Sequence, residues 1–283
     1  MQDSTPKKIF RTVPLYVWIL VFTLLPLVMI LFYAFVNVEG GQMSFTTEYI
    51  VAAVTNVDYL KSMAISFRHA AISTAICLLL GYPLAYILTE INERIRGFVT
   101  MLFLLPMWMN FIIRTFAMRS LIEKDGILSG LFTLMGIKDG TLIGTDAAII
   151  IGMVYNFLPF MILPIYTSLS KIDKRLLEAS HDLGAGWFTT FRRVILPLSV
   201  PGIVSGITMV FMPAVTTFVI PQMLNNKVMT IGSLIEYKFK QEVSATAVSG
   251  TGAALSLILL VIVIISMLIV NKFDKGEEGA AYI

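Results

Sequence analysis

Apolar residues in this chain fall in long unbroken runs, and polar residues collect in the intervals between them. A bilayer core about 30 Å thick takes about 20 apolar residues in a helix. Six runs reach that length, over approximately 13–36, 63–89, 98–118, 146–168, 199–220 and 249–271. None alternates polar and apolar residues as barrel strands do, so each predicts a membrane-spanning helix. The connections are rich in Gly, Asn, Asp and Lys and hold no soluble domain. The pattern therefore predicts an all-α integral membrane protein with a single transmembrane domain over 1–283.

Punctuation within the runs refines this picture. Pro106 lies in the third, Pro159 and Pro164 in the fourth, and Pro201 and Pro213 in the fifth. Each removes a backbone hydrogen bond and favours a kink. The freed carbonyls then need a neighbouring helix or water in a cavity. Proline is also simply common in membrane helices, but five in three consecutive spans point to a bundle lining a pathway. Gly202 and Gly206 form a small-xxx-small pair suited to close helix contact.

Composition agrees with lipid as the solvent. The 283 residues are 57% hydrophobic and 14% charged, with a mean hydropathy of +0.83, whereas soluble domains carry roughly a quarter charged residues. A net charge of +3 gives no basis for nucleic-acid binding. Lys7, Lys8 and Arg11 before the first run suggest a signal peptide, but Val13 to Val36 is too long for its core and lacks a small-residue cleavage site. It reads as a retained span. With the N-terminus inside, the inner segments hold Arg94, Arg96, Lys171, Lys174, Arg175, Arg192, Arg193, Lys272 and Lys275, while Lys61, Arg119, Lys124, Lys138, Lys227, Lys238 and Lys240 are spread over the outer loops. This bias puts both termini in the cytoplasm. Cys77 is the only cysteine, so intrachain disulfides and cysteine metal sites are excluded, and in its apolar run it reads as a small hydrophobe. His69 and His181 show no metal-ligand spacing, so no metal site is expected.

The most informative stretch is polar and runs from Ser170 to Pro201. Ser170 and Asp173 resemble a capping box with Asp in place of Glu. Ile172, Leu176, Leu177 and Leu183 then fall near one face of a short helix, opposite Lys174, Arg175, Glu178 and Asp182. Gly184 and Gly186 are suited to end that helix and turn the chain. A second short amphipathic stretch follows, with Trp187, Phe188 and Phe191 beside Arg192 and Arg193, before Leu196-Pro197 leads into the fifth span. The physics gives a helix–turn–helix at the inner surface, either docking another protein or resting on lipid head groups.

At these residues the sequence resembles the permease subunits of binding-protein-dependent ABC importers. Their pattern is Glu-Ala-Ala, three residues, Gly, nine residues, Ile-x-Leu-Pro. Here it reads Glu178-Ala179-Ser180, Gly184 and Val194-Ile195-Leu196-Pro197, with Ser180 and Val194 as mild departures. The wider resemblance is closest to the spermidine/putrescine permeases, through LLLGYPLAYIL at 78–88, LLPMWMNFIIRTFAM at 104–118 and GMVYNFLPFMILPIYTSLSKIDKRLLEA at 152–179. Permeases for ferric iron, thiamine, phosphonates, sulfate and molybdate share the overall pattern.

The resemblance implies a type I permease-like fold of six transmembrane helices with a cytoplasmic coupling helix. It implies that Glu178, Ala179, Ser180, Leu183 and Gly184 form the contact with an ATPase. It further implies a second permease subunit in a heterodimer, two ATPase subunits that carry ATP and Mg, an extracytoplasmic substrate-binding protein, and a place in the cytoplasmic membrane of a bacterium. No cofactor is expected on this chain, which lacks a Gly-x-x-x-x-Gly-Lys-Ser/Thr loop.

A polyamine path needs aromatic faces and carbonyl or carboxylate oxygens. The third span supplies Trp108 and Asn110, and the fourth Tyr155 and Asn156. Polar groups at that depth favour a cavity-facing placement, although Trp108 and Tyr155 also suit packing or an interfacial belt. Arg114 argues against a simple cation path and is expected to pair with a partner's acid or to snorkel outward. No span has Asp or Glu near its midpoint, which weighs against a secondary transporter or channel. No catalytic constellation supports a membrane enzyme.

Overall fold

The computed structural model describes residues 13–39, 42–136, 141–242 and 250–278. Of the residues singled out above, Lys7, Lys8, Arg11 and Lys138 lie outside these. The described elements are α1 (Val13–Phe35), β1 (Val36–Glu39), β2 (Gln42–Phe45), α2 (Glu48–Thr55), α3 (Val57–Glu90), α4 (Glu93–Trp108), α5 (Phe111–Ile122), α6 (Ser129–Leu134), α7 (Asp146–Leu169), α8 (Lys174–Asp182), α9 (Trp187–Thr216), α10 (Val219–Leu224), α11 (Ile231–Glu242) and α12 (Gly250–Glu278). Five helices, α1, α3, α7, α9 and α12, are each long and apolar enough to cross a bilayer, and α4 with α5 are so as a bent pair.

Contacts divide the chain into two compact units. The first comprises the described residues up to Lys61 together with Leu234–Ile262, and the second comprises Ser62–Ser233 and the residues from Val263 onward.

In the first unit two short strands follow α1, a local departure from the all-α expectation. β1 and β2 pair antiparallel, with Val36 opposite Phe45 and Glu39 opposite Gln42. The ring of Phe35 stacks on Phe45 at 5.9 Å, and Thr46 N–H donates to the Phe35 carbonyl at 2.8 Å. Short alternation over four residues carries too little period-2 pattern to compete with the flanking apolar runs, so the strands escape a hydropathy reading. Tyr49 on α2 donates its hydroxyl to Asn37 Oδ1 at 2.9 Å. Its ring lies so close to Gly250 that a Cβ there would come within 2.2 Å of a ring carbon. The start of α12 thus packs beside the segment that follows α1.

The second unit is built on α3, α7 and α9. α3 and α7 run parallel in a constant register. Arg68 pairs with Asp146, Ser73 Oγ lies 3.4 Å from Met153 Sδ, Cys77 Sγ lies 3.9 Å from the Val154 carbonyl, and Gly81 faces Met161. α9 runs antiparallel to both. Tyr82 and Ser199 hydroxyls meet at 3.0 Å, and Ser168 Oγ donates to the Leu198 carbonyl at 3.3 Å. The Gly202–Gly206 pair works inside the unit as its spacing suggests. A Cβ at Gly202 would lie 2.5 Å from Ser168 Cβ, and one at Gly206 would lie 2.8 Å from Met161 Sδ. The prolines do not break these helices, since α7 continues through Pro159 and Pro164 and α9 through Pro201 and Pro213. Pro159 is buried, and a Cβ at Gly202 would lie 2.7 Å from the Pro164 carbonyl oxygen.

The parallel course of α3 and α7 decides the topology between them. A chain leaving α3 at one membrane face must return once before entering α7 at the other. α4 and α5 together make that crossing, although they meet at 98°. They are one broken span rather than a loop that re-enters on its own side. The expected single run over 98–118, kinked at Pro106, is thereby corrected: the break falls at Met109–Asn110, where Asn110 accepts hydrogen bonds from Ile112 N and Ile113 N at 2.9 and 3.3 Å and starts a new helix. A local N-cap outcompetes continuation once the proline has removed one helical bond.

Candidate functional site

Two structures in the second unit draw attention: the exposed turn between α7 and α9, and the broken span.

The turn begins where α7 ends at Ser170, and Asp173, not Ser170, caps α8 by accepting from Arg175 N at 3.0 Å. The capping-box reading is corrected accordingly. Ser170 N–H is already spent on the Tyr166 carbonyl at 2.9 Å, which closes α7. α8 ends in a Schellman arrangement. Gly184 N–H donates to the His181 carbonyl at 2.8 Å and Ala185 N–H to the Ser180 carbonyl at 3.1 Å, with Gly184 at φ +79°. That left-handed conformation is what requires glycine. A Cβ at Gly184 would meet nothing within 4 Å, so space within the chain is not the reason.

Glu178, Ala179, Leu183 and Gly184 are exposed on this turn, and Leu183 is 88% exposed. Leu176, Trp187 and Phe188 are exposed around them, and the Trp187 ring stacks on Phe191 at 5.5 Å. Ser180 is half-buried, and its hydroxyl meets that of buried Thr190 at 2.9 Å. This bond pins α8 to α9 and accounts physically for a serine where the family pattern has alanine. A cavity of about 550 Å³ lies under the turn, walled by Ala179, Leu183, Thr189 and Arg193.

The aromatic stretch after Gly186 is not a separate surface helix. Trp187–Thr216 is continuous, passing through a π-helical turn at Phe191–Ile195. Its end at Thr216 falls short of the expected 220, and Ile220 already belongs to α10. One continuous helix thus runs from the exposed turn into the fifth span. Between α7, α9 and the turn opens a largely apolar groove of about 810 Å³, walled by Phe160, Leu163, Leu198 and Met209 and ending at Lys171 and Asp173.

At the broken span, Trp108 is 80% exposed at the bend, and Asn110 is exposed beside it. Tyr155 is exposed on α7. Asn156 differs: it is fully enclosed, accepts from Arg114 Nε at 2.7 Å, and donates to the Gly152 carbonyl at 2.8 Å and to Thr115 Oγ1 at 3.4 Å. Arg114 neither snorkels nor waits for an outside acid. It is buried at 4% exposure and also donates to the Pro106 carbonyl at 2.9 Å. Hydropathy reading missed this network. The available hint was an arginine and an asparagine at similar depth in consecutive spans, where unpaired polar groups are expensive.

His69 is fully buried, with Nε2 at 3.5 Å from Asp146 Oδ2, at the end where α3 and α7 begin. No group of three or more metal-ligating side chains occurs among the described residues.

Residues 77–278 match the family model described as "Binding-protein-dependent transport system inner membrane component". The chain is 37% identical over 231 residues to the spermidine/putrescine transport system permease protein PotB of Haemophilus influenzae, covering 80% of each chain. It is 34% identical over 228 residues to PotB of Escherichia coli K12, covering 78% of this chain and 82% of that protein. Among solved structures it is similar to a bacterial ABC transporter involved in import of the acidic polysaccharide alginate, with a TM-score of 0.75 at 16% identity, covering 95% of this chain and 97% of that one. It is also similar to two structures of the inward-facing MetNI methionine ABC transporter, with TM-scores of 0.52 and 0.56 at 19% identity, covering 78% and 77% of this chain and 94% of each of those chains. At these identities the structural likeness speaks for the fold, which is that of type I importer permeases.

Proposed function

Because this chain belongs to the family of binding-protein-dependent transport system inner membrane components, we propose that it is the permease subunit through which an ATP-driven importer carries spermidine and putrescine across the cytoplasmic membrane. The observation that carries the substrate assignment is identity of 34–37% with spermidine/putrescine permeases over about four-fifths of the chain. The chain works with a second permease subunit in a heterodimer, two ATPase subunits holding ATP and Mg, and an extracytoplasmic binding protein. Both termini lie in the cytoplasm.

The exposed turn supports the coupling role. Glu178, Ala179, Ser180, Leu183 and Gly184 sit on a protruding, conformationally fixed helix end that is rimmed by exposed apolar side chains. Such a surface suits a groove on an ATPase. Closure of the ATPase pair displaces α8, and the Ser180–Thr190 bond passes that displacement to α9. Rocking of α9 against α7 then alternates access to the path. Trp108, Asn110 and Tyr155 offer it aromatic faces and an amide for a flexible polycation. Asn156, enclosed in the Arg114 network, serves that path through its neighbours.

The test is uptake of labelled spermidine by cells lacking this chain, with and without its reintroduction. Uptake restored by the chain and competed by putrescine is the expected result. Spermidine uptake that is indifferent to the chain overturns the polyamine assignment and leaves the importer architecture standing.

A further inference from the structure

The broken span presents a physical problem that its own backbone does not solve. Ending α4 at Trp108 strips the last carbonyls of that helix of their partners, and in lipid no water replaces them. One of them, on Pro106, receives only a long hydrogen bond of 3.3 Å from Met109 N–H. The missing donor arrives from the far side of the bend. Arg114, one turn into α5, reaches back to the Pro106 carbonyl at 2.9 Å through Nη1 and across to Asn156 Oδ1 on α7 at 2.7 Å through Nε. Its guanidinium lies 5.8 Å from the centroid of the Phe111 ring, which in turn stacks on Phe157 of α7 at 6.4 Å. Asn156 is held in place by the Gly152 carbonyl and Thr115.

We infer that Arg114 is a positioning residue for transport: its fork of donors locks α4, α5 and α7 together and fixes the bend that presents Trp108 and Asn110. Three arguments favour this over a role in contacting the cation. Arg114 is 4% exposed, and its two fixed acceptors are neutral oxygens of the chain. Like charge repels a polyamine. The guanidinium geometry also matches two acceptors on two different helices, which a point donor such as lysine cannot serve together.

This inference rests on the permease reading for its transport consequence only, because the bend can be measured directly. The probe is a pair of spin labels at Leu102 on α4 and Phe116 on α5, with Cys77 replaced by alanine, in the assembled transporter in lipid nanodiscs. The unmutated span is expected to give one narrow distance distribution. In Arg114→Lys one of the two hydrogen bonds is lost, and the ratio of bent to straightened span falls by about three- to tenfold, which broadens the distribution. Asn156→Leu is expected to broaden it likewise. Asn156→Asp keeps an acceptor and keeps it narrow. Maximal spermidine uptake in Arg114→Lys falls severalfold, while the half-saturating concentration stays near that of the unmutated chain.

A distribution as narrow in both Arg114→Lys and Asn156→Leu as in the unmutated chain overturns the inference. So does a change confined to the half-saturating concentration, which makes Arg114 a substrate contact. If no spermidine uptake is found even for the unmutated chain, the function proposal fails while the distances still decide the latch.

Discussion

The molecule contains two helix breaks that solve the same problem in different solvents. At 183–186 the chain turns in water between α8 and α9, and at 109–110 it turns among apolar helices between α4 and α5. Both end one helix and cap the next. The exposed turn is self-sufficient: Gly184 takes the left-handed conformation, the Schellman bonds satisfy the last carbonyls, and water serves what remains. The membrane turn has a good local start in Asn110 but a weak local finish, and its Pro106 carbonyl is also served by a side chain eight residues away that grips another helix. A turn in water can be encoded by adjacent residues. A turn in lipid needs tertiary structure, because no solvent satisfies what the backbone leaves open.

The largest effect should come from the exposed turn if its conformation is what the ATPase reads. Gly184→Val forces a β-branched residue into the left-handed region, at a cost of about 1–2 kcal/mol or more, and should abolish spermidine uptake while the chain still inserts. Gly184→Asn is the sharper variant. Asparagine tolerates that conformation, and no atom of the chain lies within 4 Å of the new Cβ, so it should retain most uptake. If Asn is as damaging as Val, the partner needs the absence of a side chain at 184, and backbone geometry is not the reason for glycine there. Measuring both variants at matched membrane levels separates the two.

The same contrast explains what could be read from the sequence. The spans, the short helix after Asp173, the glycine that ends it and the Gly202–Gly206 contact all rest on local periodicity or on residue types with fixed conformational preferences. The break at Met109–Asn110 was legible only as a weakened helix near Pro106. Asn110 reads as a polar lining group, and nothing in its neighbours says that it also caps a helix. The role of Arg114 is hidden for a related reason. Its acceptors are a carbonyl freed by that break and an amide 42 residues later, neither visible before the fold exists. The continuity of Trp187 with the fifth span was hidden by Arg192 and Arg193, which interrupt the hydropathy but fit a π-helical turn at the helix entrance.

At the membrane turn a moderate effect is expected from Asn110→Ala. Losing the N-cap leaves Ile112 and Ile113 N–H groups without their acceptor and costs about 1 kcal/mol, to be read as a lower thermal midpoint of the purified transporter. Asn110→Ser restores the cap. Normal stability in Asn110→Ser, combined with a raised half-saturating concentration for spermidine, would place the Asn110 amide on the path as well as at the helix end. Full recovery of both would confine it to capping.

The smallest effect on uptake is expected from Ser180→Ala, which restores the residue of the family pattern. The Ser180–Thr190 bond is half-buried and neutral, so its loss should cost about 0.5–1.5 kcal/mol and leave insertion and assembly intact. Thr190 is buried, and its hydroxyl would lose its bond to Ser180, which puts the effect towards the upper part of that range. If the bond also transmits displacement from α8 to α9, the variant should hydrolyse ATP at the unmutated rate while importing less spermidine per ATP. Thr190→Val should do the same, and the double variant should be no worse than either single one, because the two hydroxyls act as one contact. An unchanged transport-to-hydrolysis ratio in all three variants would assign the transmission to backbone continuity through Gly186 and the π-helical turn. The serine would then be an accommodation of the partner's surface and not a link in the chain of motion.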